Sequence, residues 1–200
     1  MIYLLTLVLK HATNLIQTRC ATFDQSMTKK IGILILTIIL TPILAGIYGI
    51  LHDQISYSIS PEYFTKFKFA QFEFGFMAQN QPRLTASVVG FFSTWWTGLI
   101  IGIILSIIGL TFPNYKTMWK SIKIATIRTL GIALGIGLIG IVVGKLIISE
   151  IDGNWIIPDT VTNKKAFLTV GTMHTFSYIG GLIGLIFGVI YQLRLKKDIK

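Results

Sequence analysis

Four apolar runs, at 31–51, 87–110, 129–148 and 167–191, constrain this chain more than anything else in it. Each approaches or exceeds the roughly 20 residues that carry a helix across a bilayer core about 30 Å thick. Inside that core every backbone amide needs an internal partner, so runs of this kind must be helices. Charged residues make up only 13% of the chain, against about 25% in soluble domains. The expected fold is therefore an all-α membrane protein. It is a four-helix transmembrane bundle forming a single domain over 27–200, with a structured extracytoplasmic loop.

The +10 net charge is concentrated at the ends of the apolar runs. Lys29, Lys30, the 111–128 loop and the tail after 191 hold ten basic residues against one acid, Asp198. The loops 52–86 and 149–166 hold five basic residues against six acids. Lysine and arginine favour the cytoplasmic side, so both termini and the 111–128 loop are expected there, with the other two loops outside. The lipid bilayer is the expected partner, and nucleic-acid binding is not expected. Cys20 is the single cysteine, which excludes an intrachain disulfide and a cysteine-based zinc site.

Residues 1–26 fit this scheme poorly. Their apolar start, 1–9, is too short to span, and Met27-Thr28-Lys29-Lys30 before an apolar run reads as a natural beginning. They are read as an N-terminal extension outside the native domain, or as a short amphipathic helix lying on the membrane. The 31–51 run resembles a secretory signal, but its length and Ile43 at the place of a small residue favour an anchor.

Glycines recur four apart, as in Gly98/Gly102, Gly131/Gly135, Gly140/Gly144 and Gly180/Gly184. Small residues let helix backbones approach where lipid supplies no hydrophobic contrast. They are expected to pack the bundle, and a homo-oligomer or a membrane-protein partner seated on them is the second reading.

Ionisable residues gather at the outer ends of the spans. Counting twenty residues along each run puts His52, Asp53, Glu150, Asp152 and His174 at one depth, with Glu62 and Glu73 in the loop above. Imidazole and carboxylate ligands suit a divalent metal, and histidine also suits a proton-responsive pair. Such residues are equally at home as interfacial polar groups. No H-E-x-x-H pair, nucleophile elbow, phosphate loop or dinucleotide fingerprint occurs in the context that gives it meaning. Ser177 and Tyr178, near His174, supply a polar helix face but do not by themselves indicate a serine hydrolase.

The 52–86 loop carries its own signals. Ile55, Tyr57 and Ile59 alternate with Ser56, Ser58 and Ser60, which fits a short strand. Ser60-Pro61-Glu62 reads as a helix start, with Ser60 as the N-cap, and the helix should run to about Lys68. From Phe67 to Phe76 a continued helix and a bulged strand both fit. The aromatics suit the bilayer interface; a binding groove on this loop would use Tyr57, Tyr63, Lys66 and Lys68.

Three strings in the chain belong together. They are His52–Tyr57 with Ser60–Phe69, Thr94-Trp95-Trp96-x-Gly98, and Ser177-Tyr178-Ile179-Gly180-Gly181 after His174. Over 27–197 the chain resembles, through these strings, an uncharacterised family of bacterial inner-membrane proteins. The resemblance implies four spans and a bacterial membrane, and implies no chemistry. The functional expectation is a non-enzymatic accessory or binding module that uses its outer loop. The alternatives are a small transporter or channel component with an outer-rim His/carboxylate site, and a membrane-embedded metal-dependent enzyme.

Overall fold

The computed structural model describes the backbone of residues 2–151, 153 and 155–199, with side chains except at 2–9, 12 and 14–24. Four long helices dominate: α1 (Ile2–Ile59), α5 (Pro82–Leu110), α6 (Tyr115–Leu146) and α7 (Lys164–Asp198). All four are long and apolar enough to cross a bilayer, α1 over its Gln25–Ile59 part. Large apolar side chains such as Ile39, Ile107, Leu138 and Leu182 point outward from them. An apolar perimeter of this extent needs lipid around it, so the chain is a multi-pass membrane protein. No strand occurs among the described residues.

The strand expected at 55–60 is helix instead. Ser56 Oγ donates to His52 O (3.0 Å) and Ser58 Oγ donates to Gln54 O (2.9 Å), so these serines bond the preceding turn rather than alternate across a pleat. The helix stops at Ser60, whose extended backbone is what a following proline imposes. Ser60 Oγ then accepts from Tyr63 N (3.3 Å), the expected N-cap bond. The chain continues as α2 (Pro61–Tyr63), a π-turn (Phe64–Lys68) and α3 (Phe69–Gln71), so the helical reading beyond Phe67 holds as far as Gln71. After a turn in which Glu73 adopts φ 58°, α4 (Gly75–Asn80) leads into α5. The loop expected over 111–128 contracts to a short turn. Asn114 Oδ1 accepts from Thr117 N (2.9 Å) and starts α6 at Tyr115, carrying Lys116, Lys120, Lys123 and Arg128 on helix.

The helices associate as two antiparallel pairs. α1 meets α5 backbone to backbone: a Cβ on Gly49 would strike Gly90 O, and one on Gly98 would strike Thr41 O. α6 meets α7 in the same way, with Gly144 against Thr169, Gly180 against Ala133 and Gly184 against Thr129. The spaced glycines thus pack the bundle, except Gly131 and Gly135, where an added Cβ would meet nothing within 4 Å.

The two pairs touch at both ends. At one end the buried Gln192 Nε2 donates to Leu105 O (3.2 Å), beside a core of Phe112, Met118 and Ile122. Here Lys30 Nζ also donates to Phe112 O, closing the C-terminus of α5. At the other end α2 to α4 form a cap over the bundle, centred on Phe64 with Tyr63, Phe69, Val89, Val161 and Phe167 around it. Between these two seams the pairs leave a cleft lined by residues of all four long helices.

Candidate functional site

Beneath the cap, His52 and Asp53 on α1 face His174 and Ser177 on α7. Because α1 continues for two turns past Leu51, His52 lies inside the bundle rather than just outside the span. Its exposure is 5%, that of Asp53 is 1% and that of His174 is 7%. His52 Nδ1 is 3.0 Å from Asp53 Oδ1 and His52 Nε2 is 2.9 Å from Ser177 Oγ. With Asp53 ionised and His52 neutral, Nδ1–H donates to Asp53 and Nε2 accepts from the Ser177 hydroxyl. His174 Nε2 lies 3.7 Å from the same Asp53 oxygen, and the two imidazoles meet edge to face at 4.6 Å. Asp53 Oδ2 and His174 Nε2 are buried with no hydrogen-bond partner. Buried ionisable groups at this depth are costly and need a reason.

The cap seals the cluster from one side. Tyr63 stacks on His174 with ring centroids 5.0 Å apart, and Phe64 packs beside it. Burial first, then the charge of Asp53, pushes the Tyr63 hydroxyl well above its ordinary value, so it stays protonated. Lys68 is turned inward by the π-turn, with Phe67 and Phe72 against its ammonium. Burial lowers its pKa and the negative charge of Asp53 works against that, so Lys68 is the nearby cation that Asp53 feels.

The structure turns the other expected site residues elsewhere. Glu62 is not part of the cluster: its carboxylate accepts from Thr162 N (3.0 Å), Thr162 Oγ1 (2.8 Å) and Asn163 N (2.8 Å), clamping the cap to the start of α7. Glu150 pairs instead with Lys165 in the open (2.7 Å). Asp152 lies outside the described residues. Of the four loop residues, Tyr63 and Lys68 point into the bundle and Tyr57 packs between Phe64 and Arg83. Only Lys66 of the four is exposed.

The Glu62 clamp is titratable. Its backbone and hydroxyl donors hold the carboxyl below the ordinary glutamate range. A depressed folded-state pKa stabilises the clamp fully above the unfolded value and loses that contribution as pH falls through the folded one. Hydrogen exchange is expected to show Thr162 and Asn163 amides protected at neutral pH. That protection should drop several-fold in Glu62→Ala, and in the wild type only under acid.

Below the cluster lies a cleft of about 320 Å³ between the two helix pairs, at the lower end of the roughly 300–1,000 Å³ typical of small-molecule sites. On α7 its lining runs from His174 to Leu185, about 16 Å along the axis. Trp96, Ile100, Tyr178 and Leu182 line it and are also exposed on the bundle perimeter, so the cleft opens toward lipid. Its Ser93 and Thr94 hydroxyls donate to helix carbonyls, Ser93 to Gly90 O (3.1 Å) and Thr94 to Ala45 O (2.7 Å). The wall is thus effectively apolar and ends on one polar cluster.

His52, Asp53 and His174 each offer a ligand atom within 4.8 Å of the others, close enough to share one divalent cation. As arranged, both nitrogens of His52 are already engaged, and the Lys68 ammonium opposes a second cation. Sequence reasoning put Ser177 beside His174 on a polar helix face but did not join it to His52, and it did not place the cleft. The signal for Ser177 was its position three residues after His174, on the same helix face. Comparison of the chain with protein-family models, with curated proteins and with solved structures finds no match in any of the three.

Proposed function

We propose that this protein binds a bilayer-borne amphiphile, holding its apolar part in the cleft and its hydrogen-bonding head on His52, Asp53, His174 and Ser177. The observation that carries this reading is the cleft itself: an apolar wall, open to lipid, that ends on a buried polar cluster. The cap serves as the lid of that site rather than as an outward groove. An orientation with both termini in the cytoplasm and the cap outside is supported by the ten basic residues at the opposite end. The same reading keeps the chain within the bacterial inner-membrane family it resembles.

Gly181 provides the test. It lines the cleft, and a Cβ there meets nothing within 4 Å, so a large side chain enters the cleft without striking the bundle. Wild type purified in nanodiscs is expected to carry a stoichiometric amphiphile in native mass spectra. Gly181→Trp should reduce its occupancy about tenfold, the consequence of losing ~1.4 kcal/mol of contact, with an unchanged melting point. Equal occupancy in both proteins would sink the reading.

A further inference from the structure

We infer that Ser177 is a nucleophile toward a carboxylic ester carried by the bound amphiphile, with His52 as its general base and Asp53 as the residue that positions His52. This inference rests on the cleft reading above and adds the class of head group. The geometry has the connectivity that activates a serine: nucleophile on base at 2.9 Å, base on carboxylate at 3.0 Å. The neighbouring hydroxyls of α5, Ser93 and Thr94, are spent on helix carbonyls, whereas Ser177 Oγ is directed at an imidazole. Burial is graded in the sense that chemistry needs. Asp53 and His52 are enclosed, while Ser177 is half-buried and lines the cleft.

Two further features serve the same atom. Gly137 faces Ser177 across the α6–α7 contact, and any Cβ there would collide with Ser177 Oγ, so the space around the hydroxyl depends on glycine. Tyr48 lines the cleft with its ring 5.8 Å from that of His52, and Tyr48 Oη is buried with no hydrogen-bond partner. It is placed to donate to the oxyanion that forms when a carbonyl beside Ser177 becomes tetrahedral. That role is normally filled by such a preorganised donor.

Ser177 Oγ bonds to the ester carbonyl carbon while its proton passes to His52 Nε2. The tetrahedral intermediate collapses, the carbon–alkoxy bond breaks, and the departing alcohol takes the proton from His52. Water, as the second substrate, repeats the sequence on the acyl-Ser177 ester and releases a carboxylic acid and free serine.

The experiment treats the full-length protein in detergent with alkyl fluorophosphonates of long and short chain, and locates adducts by peptide mass spectrometry. The long-chain probe is expected to modify Ser177, about tenfold or more faster than the short-chain one, because further methylenes are buried in the cleft. Ser177→Ala should abolish the adduct. His52→Gln should slow labelling by about 100-fold or more, as loss of a general base does. Asp53→Asn should move the pH dependence of labelling, which loss of a purely structural contact would not do. A protein that still takes up amphiphile in the cleft but acquires no adduct at Ser177 would overturn the inference while leaving the binding reading intact. Labelling that persists at the same rate in Ser177→Ala would also overturn it.

Discussion

Gly90→Leu is expected to prevent α1 and α5 from associating and to leave no folded bundle in detergent. A Cβ at Gly90 would run into Gly49 O, and Asp53 Cβ is 3.0 Å from the same point. The obstacle is backbone, which cannot rotate away, so the helices must separate along their contact. Overpacking of this kind costs about 1–3 kcal/mol where side chains can adjust, and more where they cannot. Leucine is the better helix former by about 1 kcal/mol, so local propensity pushes the other way and any loss is due to packing. Gly131→Leu is the matched control, because its Cβ meets nothing within 4 Å. Thermal unfolding should show Gly131→Leu at or slightly above the wild-type midpoint and Gly90→Leu without a cooperative transition.

The second large effect belongs to the cap. Phe64 is fully buried, with Tyr57, Tyr63 and Phe69 against its ring and His174 nearby. Its truncation to alanine removes the side chain on which the cap core is centred and should cost about 3–5 kcal/mol. The Tyr63 stack on His174 and the inward placement of Lys68 depend on the same core, so the polar cluster loses its lid. Hydrogen exchange across 60–80 should become fast in Phe64→Ala, and bound amphiphile should be lost with it. Phe76→Ala is the control: at 84% exposure Phe76 holds nothing in place, and its truncation should stay within about 0.5 kcal/mol of wild type.

The four spans were legible because hydrophobic run length is a local property, and so was the helix start at Ser60, where the cap and the proline are neighbours. Counting residues along each span also brought His52, Asp53 and His174 to one level, because helical rise is uniform. What counting cannot supply is rotation about the helix axis. Whether Ser177 reaches His52 depends on how α7 is turned toward α1, which Gly137, Gly180 and Gly184 decide through contacts with α6. Glu62 and Glu150 left the site for partners on the far side of the loop, Thr162, Asn163 and Lys165, which no local pattern announces. Lys68 turned inward because the π-turn inserts about one residue, which rotates the following side chains by roughly 100°. The serine alternation at 55–60 misled because in a helix those hydroxyls have the preceding turn to bond. The cleft had no signature at all, since it is the space that two well-packed helix pairs leave between them.

The most direct test of an amphiphile in that space is photo-crosslinking. A phospholipid bearing a diazirine midway along one acyl chain, incorporated into nanodiscs with the protein, should label Leu130, Ala133 and Leu185, which line the cleft without being exposed on the perimeter, well above the perimeter residues Ile39 and Ile107. In Gly181→Trp the cleft labels should fall to the perimeter level. Labelling spread evenly over perimeter and cleft, unchanged by Gly181→Trp, would contradict the account.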